Sequence, residues 1–304
     1  MALFVPSIKI ATLSQRSSKS LMNFLSNVAA QVLKVLPRQS VSRAFGALAD
    51  YEWPTPLGRA VLAAYCRKYN VTFEECIASS GWPSFDAFFT RELRPGMRPV
   101  DADPSVIVSP ADGRIDSMAR VERGGQYIVK GSAYSVTELL GDEAEARRYE
   151  GGGACVVYLS PRDYHRVHAP VAGHIAYVRS IAGDYYPVND FGLHHVPNLF
   201  ARNRRVVIGI DTPPELGLGR VTVVMVAAII VGRVTVEGVD ERDVSEGLHQ
   251  IDKPVFVEKG GEIGQFHLGS TVVMFIESKA FGRWLMPDGA VRYGEAIAHR
   301  GAER

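Results

Sequence analysis

Cysteine is scarce in this sequence. Only Cys66, Cys76 and Cys155 occur among 304 residues, and no two of them form a C-x-x-C pair. An odd, dispersed set supports neither a disulfide framework nor a cysteine zinc site, so a reducing compartment is the default expectation. Long apolar runs are lacking as well. The longest, Val223 to Val231, has nine residues, whereas a helix needs about 20 to cross a hydrocarbon core. It reads as a buried strand, and no membrane-spanning helix is expected. Leu3 to Ile10 is apolar but broken by Pro6 and Lys9, with no small-residue cleavage site following cleanly, so no secretory signal is expected. Repeats of solenoid period and low-complexity segments are also missing, which excludes stacked-repeat architectures.

Apolar residues make up 46% of the chain, enough to build a sizeable core in one large domain or two modest ones. The net charge of +1 conceals an asymmetry. Lys9, Arg16, Lys19, Lys34, Arg38 and Arg43 face only Asp50 within residues 1–50, a balance of +5 that leaves −4 for the remainder. A basic extension on a mildly acidic body fits an anionic surface, a bilayer leaflet or nucleic acid. From Leu21 to Leu36 apolar residues recur at helical spacing until Pro37 ends the pattern. A second helix is expected from Leu57 to Tyr69 and a third after Ser84, an N-cap before Phe85-Asp-Ala-Phe-Phe.

After Pro99 the texture changes to short β-branched runs punctuated by glycine. They lie at Val106–Val108, Tyr127–Val129, Cys155–Leu159, His174–Val178, Val206–Ile210, Val221–Val236, Pro254–Val257 and Thr271–Ile276. The expected fold class is α+β: a helical N-terminal region, residues 1–98, followed by a β-rich domain, residues 99–304, built of mostly antiparallel strands as a sandwich or barrel. Val188–Arg205, with few strand signals and the pair His194 and His195, is expected to be a long functional loop.

Three segments carry chemistry: Ser109-Pro-Ala-Asp112-Gly-Arg-Ile, Ser160-Pro-Arg-Asp-Tyr-His165-Arg-Val-His168-Ala-Pro, and Phe266-His-Leu-Gly269-Ser270-Thr-Val-Val. Gly-Ser alone reads as a hairpin turn, and Pro-Ala-Asp-Gly alone as a turn in which aspartate caps its own backbone. Together, with Phe88-Phe-Thr-Arg-Glu-Leu-Arg-Pro95, Val129-Lys-Gly131, Leu199-Phe-Ala-Arg-Asn203 and Val231-Gly-Arg233, they resemble the bacterial phosphatidylserine decarboxylase family, over roughly residues 20–296. That resemblance implies self-cleavage between Gly269 and Ser270 at a Leu-Gly-Ser-Thr signature. Ser270 would then become a pyruvoyl cap, a covalent electron sink of the kind pyridoxal phosphate supplies elsewhere, with no metal required. A serine hydroxyl needs a neighbouring base, usually a histidine oriented by a carboxylate. His168 and Asp112 are the matching positions, and His165 matches the family's second histidine, a candidate for acid-base assistance to decarboxylation. Gly269 presents the attacked carbonyl and, lacking Cβ, can hold a strained backbone.

The resemblance further implies two subunits from one proenzyme, β (residues 1–269) and α (from former Ser270), a homodimer, phosphatidylserine as substrate, and no nucleic-acid partner. A two-chain lipid must be met at the bilayer, so the protein is expected on the cytoplasmic side of the cell membrane as a peripheral protein. Residues 21–36 would lie in the interface beside anionic headgroups, or pack on the core. Lys130, Arg162, Arg166, Arg202, Arg204 and Arg205 are candidates for the substrate phosphate and carboxylate. Among rival readings, His165-x-x-His168 with His194 and His195 could ligate zinc. A nucleophile-elbow hydrolase is excluded by Leu268 and Val272 where glycines are needed. Ala169–Ile175 and Val257–Gly264 resemble the hairpins of lipoyl-type carriers, as the family's β fold does, but no obvious Met-Lys or Asp-Lys tip follows. Other pyruvoyl enzymes act on free amino acids or S-adenosylmethionine, and Gly-Ser alone does not separate them.

Overall fold

In the computed structural model, which describes residues 37–77, 81–230, 233–249, 251 and 255–301, Pro37 is followed at once by a helix, α1 (Arg38–Asp50). The expected Leu21–Leu36 helix lies outside the described residues. Arg38, Ser42, Gly46 and Ala49 form the buried stripe of α1, a helical spacing but a face without large apolar side chains. Phe45 and Leu48 are instead 45% and 49% exposed. The helix is held by polar groups at both ends. Arg38 forks onto Asp184 at 2.6–2.7 Å and lies over the Tyr186 ring, while Asp50 pairs with Arg233. Helix α2 (Thr55–Tyr69) starts at a proline pair and stops at Asn70, in the left-handed conformation. The short α3 (Phe85–Phe89) is capped by Ser84 Oγ, which accepts the Ala87 N–H at 3.1 Å, as its sequence predicts.

The β-rich part begins with β1 (Val106–Val108), β2 (Gly113–Arg120), the hairpin β3 (Gln126–Val129) and β4 (Ser132–Ser135), helices α4 (Val136–Leu140) and α5 (Glu143–Arg147), β5 (Gly153–Leu159), β6 (Arg166–His168) and β7 (Gly173–Ile181). It continues through helices α6 (Asp190–His195) and α7 (Leu199–Arg202) to β8 (Arg205–Asp211), β9 (Arg220–Ala227), β10 (Arg233–Val236), β11 (Gly247–His249) and β12 (Val255–Val257). The last strands are β13 (Glu262–His267), β14 (Ser270–Ile276), β15 (Phe281–Trp284), β16 (Gly289–Val291) and β17 (Ala296–Arg300).

Nine strands form one antiparallel sheet in the order β11-β7-β8-β9-β14-β5-β2-β16, with β12 also on β7. Strand β14 lies between β9 and β5, and all seven of its residues are buried. That explains its uninterrupted Val-Val-Met-Phe-Ile: a strand covered on both faces shows no polar alternation. Two three-stranded sheets, β10-β13-β6 and β1-β17-β15, complete the α+β fold. The first packs on the large sheet so closely that a Cβ on Gly264 would lie 3.0 Å from Met225 Sδ of β9. Met225 pairs with Val272 and Ala227 with Ser270, so by strand alternation Ser270 and Met225 share the face that meets the small sheet. Ala169–Ile175 and Val257–Gly264, which resemble carrier hairpins, pair with one another: Val257 opposes Gly173, and Gly260 N–H donates to the Ala169 carbonyl at 2.8 Å.

Two expectations are corrected. Residues 188–205 are not an open loop, since Asn189 caps α6 through the Gly192 N–H. The amide of Asn203 ties the end of the segment to Tyr186 and Ala227. The run Val221–Val236 is two strands, not one. The Ala227 carbonyl is taken by Asn203, the Ile230 N–H by Ser42 Oγ, and Ile230 has φ +76°, so the ladder ends and the chain crosses to the small sheet.

Candidate active site

The Ser270 hydroxyl is at the head of the central strand, 1% exposed, and its Oγ has no hydrogen-bond partner. Leaving a buried donor unpaired costs about 1–3 kcal/mol, so such groups mark strained or functional positions. Just before it the backbone departs from ordinary geometry at Leu268, with φ +91°, a region that costs a branched side chain roughly 1–3 kcal/mol. The strain expected at Gly269 is therefore carried by its neighbour. A Cβ on Gly269 would meet nothing within 4 Å.

Strand register brings His165 to this peptide. Leu159 opposes Ser270 in the large sheet, and Arg166 opposes Gln265 in the small one, so the 159–166 and 265–270 segments run side by side and are paired at both ends. Asp163 shapes the turn between them, accepting from the Ser160 N–H and Oγ at 2.7 Å. The His165 ring packs on Phe89 at 4.0 Å, and Phe89 clusters with Leu268 and Ala49. His168 is on β6, stacked face to face on Tyr293 with ring centroids 3.6 Å apart.

The two imidazoles are held in the same tautomer. Nδ1 of His165 bonds the Asp163 carbonyl and Nδ1 of His168 the Gly260 carbonyl, each at 2.8 Å. A carbonyl oxygen only accepts, so Nδ1 carries the hydrogen, and each neutral ring keeps a lone pair on Nε2. Both Nε2 atoms are buried without a partner. Burial pushes the His165 pKa down to about 3 and also lowers that of His168. Neither imidazole is hydrogen-bonded to Ser270 Oγ, and His168 has no bond to Asp112. Asp112 instead receives Arg98, with the shortest contact at 2.6 Å, and the Tyr293 N–H at 2.9 Å. The carboxylate expected to orient His168 is thus neutralised by an arginine, and a backbone carbonyl holds the imidazole.

These shifts have a consequence for stability. Between about pH 3 and pH 6.5 the unfolded chain binds protons that buried His165 does not. Its contribution is therefore complete above pH 6.5 and is lost as pH falls through that window. We expect the thermal midpoint to drop as pH falls through this range, and His165→Gln to drop less; parallel curves for both proteins would disprove the assignment.

Two cavities flank the 160–165 turn. One, of about 420 Å³, is polar and is lined by Arg98, Asp112, Arg162 and Tyr164 among others. The other, of about 370 Å³, is apolar, with Leu268 and Gly269 in its wall beside Phe89, Tyr65 and Phe45. Of the cationic candidates, Arg205 is buried on four carbonyls. Arg204 pairs with Asp243, Arg166 with Glu262 and Glu92, and Lys130 with Asp190 and Asp116. Arg202 lies over Tyr186, and Arg162 is largely exposed on the rim of the polar cavity. Among the described residues no group of three or more His, Cys, Asp or Glu side chains is placed to hold a metal ion. His194 and His195 pack on each other, and Phe191 packs on His195. Sequence reasoning missed Arg98, Gly260, Tyr293 and the pair His267–Asp86 at 2.8 Å; of these only Gly260, in its Gly-Gly turn, carried a signal.

Residues 85–299 match the family model described as phosphatidylserine decarboxylase. The chain is 38% identical over 273 residues to a phosphatidylserine decarboxylase proenzyme of Anaeromyxobacter sp. (strain K), covering 87% of this chain and 95% of that one. It is 38% identical to proteins of the same description from Myxococcus xanthus (strain DK1622), over 88% of this chain and 96% of that protein, and from Azotobacter vinelandii, over 86% and 94%.

Proposed function

This chain belongs to the phosphatidylserine decarboxylase family, and we propose that Ser270 is both its self-cleavage nucleophile and the source of its pyruvoyl group. The protein converts phosphatidylserine to phosphatidylethanolamine after processing of a proenzyme into two chains. The observation that carries the site assignment is the buried, unpartnered Ser270 hydroxyl beside the apolar cavity at Leu268–Gly269. His168 Nε2 takes the hydroxyl proton, and Ser270 Oγ attacks the Gly269 carbonyl carbon. The Gly269–Ser270 C–N bond breaks, leaving an ester and a free amine. Loss of the Ser270 α-proton expels Gly269 as a carboxylate and leaves dehydroalanine, which water converts to the pyruvoyl cap with release of ammonia.

An orphaned hydroxyl with no partner to displace, next to an unobstructed Gly269, fits formation of the cap at this position. Once present, the group supplies an electron sink for decarboxylation. His165, buried and neutral with Nε2 free, moves the proton needed in that second reaction. Intact-mass measurement of the purified protein tests the reading: residues 1–269 and a pyruvoyl-capped chain ending at Arg304 are expected, and one uncleaved mass would overturn it.

The division near residue 98 is one of task, with residues 1–98 facing the membrane and 99–304 performing the chemistry. An ion pair from Arg233 to Asp50 and a hydrogen bond between His267 and Asp86 bind the two together. Among the described residues no helix is long and apolar enough to cross a membrane. A peripheral position on the membrane surface is supported by α1, whose Phe45 and Leu48 are exposed at the rim of the apolar cavity together with Ile230; the cytoplasmic face of the cell membrane is the side that the family resemblance implies. An acyl chain can pass from bilayer to cleavage site along that rim. The family's homodimer has exposed Leu248 and Phe256 beside the sheet edge available to it.

Deleting residues 1–36 weakens binding to anionic vesicles and leaves self-cleavage largely intact. Added salt weakens binding of the full chain, since charge attraction is screened beyond about 8–10 Å at physiological ionic strength. Phe45→Ser with Leu48→Ser lowers the salt-resistant remainder by about tenfold or more, given roughly 1.5–3 kcal/mol for each fully buried apolar side chain. Co-sedimentation at low and high salt measures each part. Unchanged binding by both variants would locate the membrane contact elsewhere.

A further inference from the structure

Two glycine turns bracket His168. At Gly260 the backbone has φ +82°, and a Cβ would fall 2.4 Å from Val100 Cγ2. Only glycine can thus deliver the carbonyl that receives His168 Nδ1–H. The second turn, residues 292–295, is pinned to the Asp112 loop. Gly294 N–H donates to the Ser109 carbonyl at 3.1 Å, Ser109 N–H to the Glu295 carbonyl at 2.8 Å, and Tyr293 N–H to Asp112 Oδ1 at 2.9 Å. So held, the half-buried Tyr293 ring lies within 3° of parallel to the imidazole at 3.6 Å.

We propose that Tyr293 is a positioning residue for the self-cleavage base, and that Asp112 acts on His168 through Tyr293 and not by direct contact. The inference rests on the reading of His168 as that base. The stacked phenol ring covers one imidazole face, so the ring can neither rotate nor take up water on that side, while the Gly260 carbonyl fixes its edge. Nε2 then has one direction and one protonation state. The Asp112 charge is spent largely on Arg98, which also reaches Glu75 at 2.7 Å, so its acceptor oxygen for the Tyr293 N–H matters more than its field. The charged and titratable groups around His168 are Glu262 on β13, Arg166 on β6, the Asp112–Arg98 pair, and the Tyr164 and Tyr293 phenols. After cleavage at Gly269–Ser270, Tyr293 belongs to the C-terminal chain and Asp112 and His168 to the N-terminal one, so the same contacts join the two products.

The test follows the precursor by pulse-chase in cell-free synthesis, as processing half-time against pH. Tyr293→Ala slows processing by about tenfold to a hundredfold, the scale of an angstrom-sized misplacement. It also moves the acid limb to higher pH, because water reaching the imidazole raises its depressed pKa. Tyr293→Phe, which keeps the aromatic face, restores the rate to within about threefold and returns the limb. Asp112→Asn, which keeps an acceptor oxygen, slows processing less than Tyr293→Ala. Should Tyr293→Ala fail to fold by circular dichroism, Tyr293→Leu fills the volume without an aromatic face and is expected to behave in the same way. A wild-type rate and limb in the unstacked variant, or an Asp112→Asn defect larger than that of Tyr293→Ala, would overturn the inference. A His168→Ala precursor that matures normally removes the base itself; one that stays blocked while Tyr293→Ala matures normally removes only the role of Tyr293.

Discussion

Ser270→Ala leaves one uncleaved chain with no decarboxylase activity and a thermal midpoint equal to or above that of the unprocessed wild-type protein. The loss is expected to be complete because, in the reaction proposed above, Ser270 supplies both the attacking oxygen and the carbons of the cap. No other described hydroxyl is joined to the Gly269 carbonyl in this way. The unchanged or raised midpoint follows from the same geometry: Oγ is buried without a partner, and removing an unsatisfied hydroxyl removes a penalty of about 1–3 kcal/mol. Alanine also suits the fully buried β14, flanked by Leu159 and Ala227. A gel, intact mass and a melting curve together separate blocked chemistry from misfolding. Two-chain processing of this variant would sink the assignment of the nucleophile.

The parts of the molecule legible in the sequence are those where chemistry and pattern coincide. Ser84 announces α3 because a capping hydroxyl before a phenylalanine-rich turn has few other uses, and Thr271–Ile276 announces the central strand because only a doubly covered strand tolerates so many consecutive apolar residues. Residues 188–205 were opaque because their order comes from Asn189 and Asn203, single amides whose partners lie at Gly192, Tyr186 and Ala227. The resemblance marks Asp112 and His168 but cannot give their geometry. The hydrogen bond from His168 runs to a backbone carbonyl at residue 260, and any residue type supplies a carbonyl. Tyr293 was silent for a similar reason, since a lone tyrosine beside a glycine turn reads as surface until the turn is seen pinned to Ser109 and Asp112.

His165→Ala and His168→Ala are expected to fail at different steps. The rings share a tautomer, burial and an open Nε2, yet their surroundings differ. His168 lies beside Tyr293, Tyr164 and the Asp112–Arg98 pair, the polar side of the 160–165 turn. His165 sits behind Phe89 on the apolar side, where the cavity wall includes Gly269. A base needed once, for the serine hydroxyl, is assigned to His168, and its removal leaves the precursor intact on a gel. A group needed at every turnover, on the side of the apolar cavity proposed to receive the lipid, is assigned to His165. Its removal permits cleavage but lowers turnover by a factor of about 10² to 10⁴, the usual contribution of a positioned acid or base. Because the His165 imidazole is held neutral down to about pH 3, the wild-type turnover profile should show no His165 limb near pH 6.5. Each variant is assayed twice, by intact mass for processing and by carbon dioxide release per processed chain. If His165→Ala turns over at the wild-type rate once processed, or if it blocks cleavage while His168→Ala matures, the two roles are reversed or absent, and the apolar side of the turn serves only to hold the substrate.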